Sequence, residues 1–207
     1  MGANFGDLDN DGYPHFYLGT GYPAFDALMP NLMFHNLGGT GFSDVTTAGG
    51  FGHLQKGHGV AFADLDNDGD QDVFIEMGGA YLGDAYMNAL FENPGFSNNW
   101  LTVKLIGTTS NRSAIGARIR CAISEGEAKR NVYTWVNSGG SFGAKPLRQE
   151  IGLGKATKVD VLEVYWPTSD TTQRFVDVEV NQFIEITEGQ DAYRTLPQKQ
   201  LSFHSRP

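Results

Sequence analysis

The chain has 207 residues, and its 24 acidic against 15 basic side chains give a formal net charge of −9, which repels phosphate backbones and anionic lipids and excludes nucleic acid as a partner. Apolar residues at 40% and aromatics at 12% exclude a chain too polar to build a core. A single cysteine, Cys121, excludes an internal disulfide framework and a multi-thiolate zinc site, and no apolar run reaches the ~18 residues that a membrane-spanning helix needs.

From the N-terminus, the first recognisable segment is Phe5 followed by Asp7-Leu8-Asp9-Asn10-Asp11-Gly12. A shift of 57 residues lays it on Phe62 and Asp64-Leu65-Asp66-Asn67-Asp68-Gly69. The same shift carries Asn31, Phe34, Asn36 and Gly38 onto Asn88, Phe91, Asn93 and Gly95, so the chain contains two copies of one structural unit. Each copy reads as a strand, an Asp-rich loop, a second strand, a long Gly-rich loop and further strand. In the second copy, strands are expected over 59–63, 72–77 and 88–93. In the first, strands over 31–36 and 41–46 flank the turn Leu37-Gly38-Gly39-Thr40. Four short antiparallel strands make a propeller blade, a sheet that buries its faces only against neighbouring blades. Residues 1–97 are therefore expected to be two blades of a partial β-propeller, packed against missing blades of a longer chain or covered by something else.

The second loop spaces its acids as Asp64-x-Asp66-x-Asp68-Gly69-x-x-Asp72. Hard carboxylate oxygens at alternate positions of a tight loop converge on one point. Calcium accepts six to eight such oxygens in a flexible shell, whereas zinc favours nitrogen and sulfur. Gly69 permits the sharp turn, the Asp70 carbonyl is the expected main-chain ligand, and Asp72 closes the shell. The closing acid stands at the ninth position between strands, which rejects an EF-hand, where it stands at the twelfth between helices. The first loop offers Asp7, Asp9 and Asp11, with Tyr13 at the position of Asp70, but it ends in His15 where the second has Asp72. Imidazole is a poor calcium ligand, so the first loop is expected to bind more weakly.

Beyond residue 97 the Asp-rich loops stop and alternating strands follow, expected over 100–107, 115–123, 130–136, 148–152, 159–166, 173–178 and 182–187. Seven short strands separated by turns indicate an immunoglobulin-like β-sandwich over 98–189. Cys121, in the alternating run Ile119-Arg120-Cys121-Ala122-Ile123, is expected to be a buried thiol. Residues 190–207 are polar and are expected to form a flexible tail. The fold class expected is thus all-β.

The Asp-rich units resemble the VCBS/FG-GAP repeats of integrin-like propellers, and the chain as a whole is similar to the cartilage acidic protein family. Past Trp100, the segments Asn111-Arg112-Ser113-Ala114-Ile115-Gly116-Ala117-Arg118, Ser138-Gly139-Gly140-Ser141-Phe142, Ile151-Gly152-Leu153-Gly154 and Val164-Tyr165-Trp166-Pro167 resemble the ASPIC/UnbV domain. The resemblance covers roughly residues 3–189. It implies a secreted, surface-exposed or periplasmic propeller followed by a sandwich, which binds calcium and contacts partners.

Catalytic patterns are sparse. Gly139-Gly140-Ser141-Phe142-Gly143 fits the Gly-x-Ser-x-Gly nucleophile elbow, but Pro146 and a strand-like segment follow instead of the helix that motif requires. His53 and His58 are read either as a transition-metal pair or as loop-positioning residues, and His35 as a surface or interface side chain of a strand. Tyr22, Phe25, Tyr81 and Tyr86 in the long loops are read either as a ligand surface or as packing between blades. The function expected is a calcium-binding, non-catalytic module for a protein or glycan partner. The alternative is a propeller-based enzyme using loop carboxylates and His53 or His58.

Overall fold

The computed structural model describes residues 1–24, 26–79 and 81–203. Among them all regular structure is strand, arranged in four open sheets with no helix. The first sheet is an antiparallel meander of β1 (Ala3–Gly6), β2 (His15–Leu18), β3 (Leu32–Asn36) and β4 (Phe42–Asp44). The second holds β5 (Gly57–Ala63), β6 (Asp72–Met77) and β7 (Ala89–Phe91), again antiparallel. Tyr17 and Met33 from the first sheet join Val60, Phe62, Val73, Ile75 and Met77 from the second in one small core. The opposite face of the first sheet carries Phe5, Phe16 and Phe34, whose rings contact one another with centroids 5.6 and 4.6 Å apart.

The second sheet lacks the fourth strand that the repeat leads one to expect, and the chain chemistry explains why. Shifted by 57, Phe42 at the head of β4 falls on Asn99, which instead opens β8 (Asn99–Ile106) in another sheet. In the first repeat the Leu37 N–H donates to the Gly41 carbonyl (2.8 Å) and closes the turn. The residue aligned with Leu37 is Pro94, which has no N–H to give. Asn93 donates its amide to the Gln71 carbonyl (3.0 Å), as Asn36 does to that of Pro14 (3.1 Å) one repeat earlier, and in addition to the Leu8 carbonyl (2.6 Å), a contact with the first repeat that Asn36 lacks.

The remaining strands build two facing sheets. One has the order β10 (Ala128–Trp135), β9 (Arg118–Glu125), β12 (Lys158–Trp166), β13 (Thr171–Glu179). The other has β11 (Gln149–Gly154), β8, β14 (Gln182–Thr187), β15 (Arg194–Thr195), with β8 and β14 parallel. Both sheets contribute to a single core that includes Leu101, Val103, Ile119, Ile123, Leu162 and Trp166. Along β9 the alternation is strict, with Ile119, Cys121 and Ile123 inward and Arg118 and Arg120 outward. Along β12 an irregularity between Val159 and Val161 resets the phase, so Val159 and Leu162 both point inward. Cys121 is fully buried, and burial pushes its thiol up to about 12, consistent with a packing role.

The sandwich is tied at one end by Glu188. Its carboxylate accepts the N–H groups of Thr108, Thr109 and Ser110 (2.8, 2.8 and 2.7 Å) and the hydroxyls of Ser110 and Ser169 (2.9 and 2.7 Å). Burial acts to raise its pKa, but the Ser169 hydroxyl and the Ser110 and Thr108 groups outweigh it and hold the acid at about 2, against an ordinary 4.5. A depressed carboxyl contributes stability that is present above the unfolded pKa and is lost as pH falls through the folded one. Glu188→Gln is expected to cost about 2 kcal/mol at neutral pH. Urea denaturation should show a smaller gap between pH 7 and pH 3 in the variant than in the wild type.

In the segment read from the sequence as a flexible tail, several backbone groups have partners as far as Leu201. Arg194 and Thr195 pair with Glu185 and Ile184. The Asn67 amide then donates to the Lys199 carbonyl (3.3 Å), and the Leu201 N–H to the Asp66 carbonyl (2.7 Å).

Candidate metal centres

Each Asp-rich loop turns through two left-handed residues, Asn10 (φ 55°) and Gly12 (φ 88°) in the first, Asn67 (φ 62°) and Gly69 (φ 99°) in the second. Asparagine and glycine are the residues that adopt this conformation at least cost. The turn folds the alternate carboxylates inward. One carboxylate oxygen from each of Asp64, Asp66 and Asp68 lies within 4.8 Å of the others, and the same holds for Asp7, Asp9 and Asp11. Asp64 and Asp66 are buried, as is Asp7.

Backbone amides hold the carboxylates in place. Asp64 accepts from the Asp68 and Gly69 N–H groups (3.1 and 3.2 Å), Asp66 from Asp68 (3.2 Å) and Asp68 from Asp70 (2.9 Å). In the first loop Asp7 accepts from Asp11 and Gly12 (3.1 and 2.7 Å), Asp9 from Asp11 (3.3 Å) and Asp11 from Tyr13 (2.8 Å). The bonding is the same set shifted by one repeat. Burial, then the Asp11 charge, raise Asp7 to about 8, against the Gly12 N–H. Burial, then the Glu150 charge, raise Asp64 to about 7, against Arg148. Such crowding of buried carboxylates stores repulsion that a multivalent cation would relieve. Every converging donor is a hard oxygen, the set that fits calcium.

The closing positions behave differently from the trios. Asp72 stands outside its trio and spends both oxygens on backbone, one on the Leu65 N–H (3.1 Å) and one on the Asn93 N–H (2.9 Å). Burial raises it to about 6, opposed by those two amides. The Asp70 side chain accepts from the Asn10 amide (2.6 Å), which also donates to the Gly69 carbonyl (3.1 Å), so the two loops touch through Asn10. His15 does not join Asp7 and Asp11; its Nε2 meets Asp9 and His35 instead.

Both loops face the sandwich. Arg148 donates to the Asp64 carbonyl and to Asn67 Oδ1 (3.2 Å for the latter), and the Gln71 amide donates to Glu150 (2.9 Å). Gly154 N–H donates to the Asn10 carbonyl (2.8 Å). A Cβ on Gly69 would stand 1.9 Å from the Trp100 indole, so only glycine lets the first sandwich strand close over the loop.

Residues 7–75 match the family model of the FG-GAP-like repeat, and residues 107–192 match that of ASPIC and UnbV. The chain joins an FG-GAP-like repeat to an ASPIC and UnbV domain. No curated protein matches it. Both acidic trios belong to the FG-GAP-like part, while the groups that cap the second, Trp100 and Arg148, and those against the first, Gly152 and Gly154, come from the stretch that leads into and forms the ASPIC and UnbV domain. These two kinds of unit point to a surface or extracellular module. No helix among the described residues is long and apolar enough to cross a membrane.

The other candidates fall into place around this frame. Ser141 lies in an irregular segment whose backbone bonds to Ala3 in both directions (3.0 Å each), and no helix follows it, so the nucleophile-elbow geometry is missing. His58 bonds the Gly78 carbonyl (2.6 Å), and His53 stacks edge-on against Phe91; neither joins a metal-competent cluster among the described residues. Tyr22, Tyr81 and Tyr86 are about half exposed, on long loops that Lys56 connects by bonding Pro23 and Asp84. They are not buried between the two sheets. Phe25 lies outside the described residues. Sequence reasoning missed the partnership of His15 with His35, although register offered a signal: Phe16 opposes Phe34 across β2 and β3, so one residue further His15 faces His35.

Proposed function

We propose that the chain is a calcium-binding, non-catalytic module of the cell surface or extracellular space, in which calcium fixes two propeller blades and the immunoglobulin-like sandwich that rests on them. The observation that carries this reading is the trio Asp64, Asp66 and Asp68, oxygen-only, converging within 4.8 Å and largely withdrawn from water. In the second loop these carboxylates would hold the ion, with the Asp70 carbonyl and Asp72 completing the shell. In the first, Asp7, Asp9, Asp11 and the Tyr13 carbonyl would hold a second ion more weakly, for want of a ninth-position carboxylate. The ion's contribution is charge neutralisation and a fixed loop. The aromatic stripe of Phe5, Phe16 and Phe34, exposed at Phe5 and half-buried at the other two, is the kind of face that a further blade covers. The adjoining long loops, with Tyr22, Tyr81, Leu82 and Met87 exposed, supply a surface for a protein or glycan partner.

Calorimetric titration tests the metal assignment. Wild type is expected to bind calcium in a tighter and a weaker step. Asp66→Ala should remove the tighter step and Asp11→Ala the weaker one. Titration curves unchanged by Asp66→Ala, or no calcium uptake by the wild type, would defeat the proposal.

A further inference from the structure

Beside the first acidic loop, three groups of different chemistry meet. His15 Nε2 lies 2.5 Å from His35 Nδ1, and both nitrogens approach Asp9 Oδ2, at 3.8 and 3.9 Å. This cluster shares Asp9 with the first oxygen trio, but its donor set of two imidazoles and one carboxylate suits borderline transition metals, not calcium. A second observation concerns the far side of the His15 ring. His15 is only 3% exposed, and its Nδ1 makes no hydrogen bond of ordinary geometry among the described residues, the Gly6 backbone being the group that acts on the ring. A metal on Nε2 would require that nitrogen's lone pair and place the proton on Nδ1, the form that can donate to the Gly6 carbonyl, as the second nitrogen of a metal-bound histidine does.

We propose that His15 Nε2, His35 Nδ1 and Asp9 Oδ2 form a site for a borderline first-row divalent cation such as zinc, distinct from the calcium loops. With bonds of about 2.0–2.2 Å, the edges of a tetrahedral site measure about 3.3–3.6 Å. The two nitrogen–oxygen distances need to shrink by a few tenths of an ångström, and the two rings need to part by somewhat less than one. His35, one-third exposed at the end of β3, has room for that movement. Three protein ligands leave a fourth position open. The same three residues line a cavity of about 690 Å³ whose walls are mainly apolar, among them Met33, Val45, Phe51 and Phe91. A bound ion would therefore face a cleft able to admit water or a small ligand. Asp9 belongs to both clusters, its Oδ1 accepting the Asp11 N–H and its Oδ2 turned to the histidines, so one carboxylate would bridge the two ions.

The test uses the untagged 207-residue chain, dialysed against buffered zinc at saturating calcium, with bound metal counted by plasma mass spectrometry. One zinc per chain is expected. His35→Gln, a partly exposed position that leaves the core intact, should lose it, with affinity falling by more than the roughly 10–100-fold that an outer-shell change costs. Cobalt in place of zinc should give an intense visible d–d band in the wild type and none in His35→Gln. Asp11→Asn should weaken calcium binding while leaving zinc in place, which separates this site from the calcium loops. No retained zinc in the wild type, or equal zinc and an identical cobalt spectrum in His35→Gln, would overturn the site and leave an ordinary histidine–histidine hydrogen bond.

Discussion

Chelation with EDTA is expected to lower the melting temperature of the chain by about 8–16 °C relative to protein in excess calcium. Binding to the native state alone stabilises by about 4 kcal/mol when free ligand is about 1,000 times the dissociation constant, and about 1 kcal/mol moves a domain of this size by 2–4 °C. The size of the effect follows from where the acids sit. Asp7, Asp64, Asp66 and Asp72 are buried, and burial with neighbouring charge drives Asp7 to about 8 and Asp64 to about 7. Without a cation the fold must either hold protons there or tolerate unneutralised charge. Differential scanning calorimetry is the measurement. Asp64→Ala should lose most of the calcium-dependent shift, because it removes a ligand that also accepts the Asp68 and Gly69 amides. A melting temperature that EDTA leaves unmoved would refute a structural role for the ion.

The loops themselves were legible because their chemistry is local. Alternate aspartates, an asparagine and a glycine within six residues dictate a tight turn with carboxylates inside, and the 57-residue shift showed that the pattern occurs twice. The sandwich strands were legible for the same reason, since alternation such as Ile119, Cys121 and Ile123 is written in consecutive residues. What escaped depends on distant pairing. The missing fourth strand turns on Pro94 having no N–H where Leu37 has one, a difference that matters only once the turn bond is known. The role of Asp72 was read from spacing as ligation, whereas in the structure its two oxygens accept the Leu65 and Asn93 amides. His15 and His35 are 20 residues apart and meet through the β2–β3 register. The docking of the C-terminal segment on Asp66 and Asn67 had no sequence signal, because the segment bonds mostly through backbone groups that any residue carries.

Gly152→Ala should cost about 3 kcal/mol, near the upper end for overpacking a tight contact. Gly152 lies on β11, and a Cβ there would stand 2.1 Å from Asp7 Oδ2, 2.4 Å from the Asn10 carbonyl carbon and 2.5 Å from Asn10 Cα. None of these can yield cheaply. Asp7 Oδ2 is held by the Gly12 N–H at 2.7 Å, and Asn10 is fixed by its left-handed turn, by Gly154 and by its amide bonds to Gly69 and Asp70. The added methyl must therefore push the first loop away from the sandwich. Asn10 will carry part of that displacement into the second loop. Calcium affinity of the first loop is expected to fall about tenfold or more, the equivalent of ~1.4 kcal/mol, although no ligand has been altered. Gly41→Ala is the control, since nothing lies within 4 Å of its added Cβ, and its effect should stay within about 0.5 kcal/mol. Denaturant melts at saturating calcium, followed by titration of each variant, decide the matter. Equal stability and equal calcium binding in the two variants would show that the sandwich does not position the loop. A selective loss in Gly152→Ala would make the ASPIC and UnbV domain a working part of the metal site in the FG-GAP-like repeat.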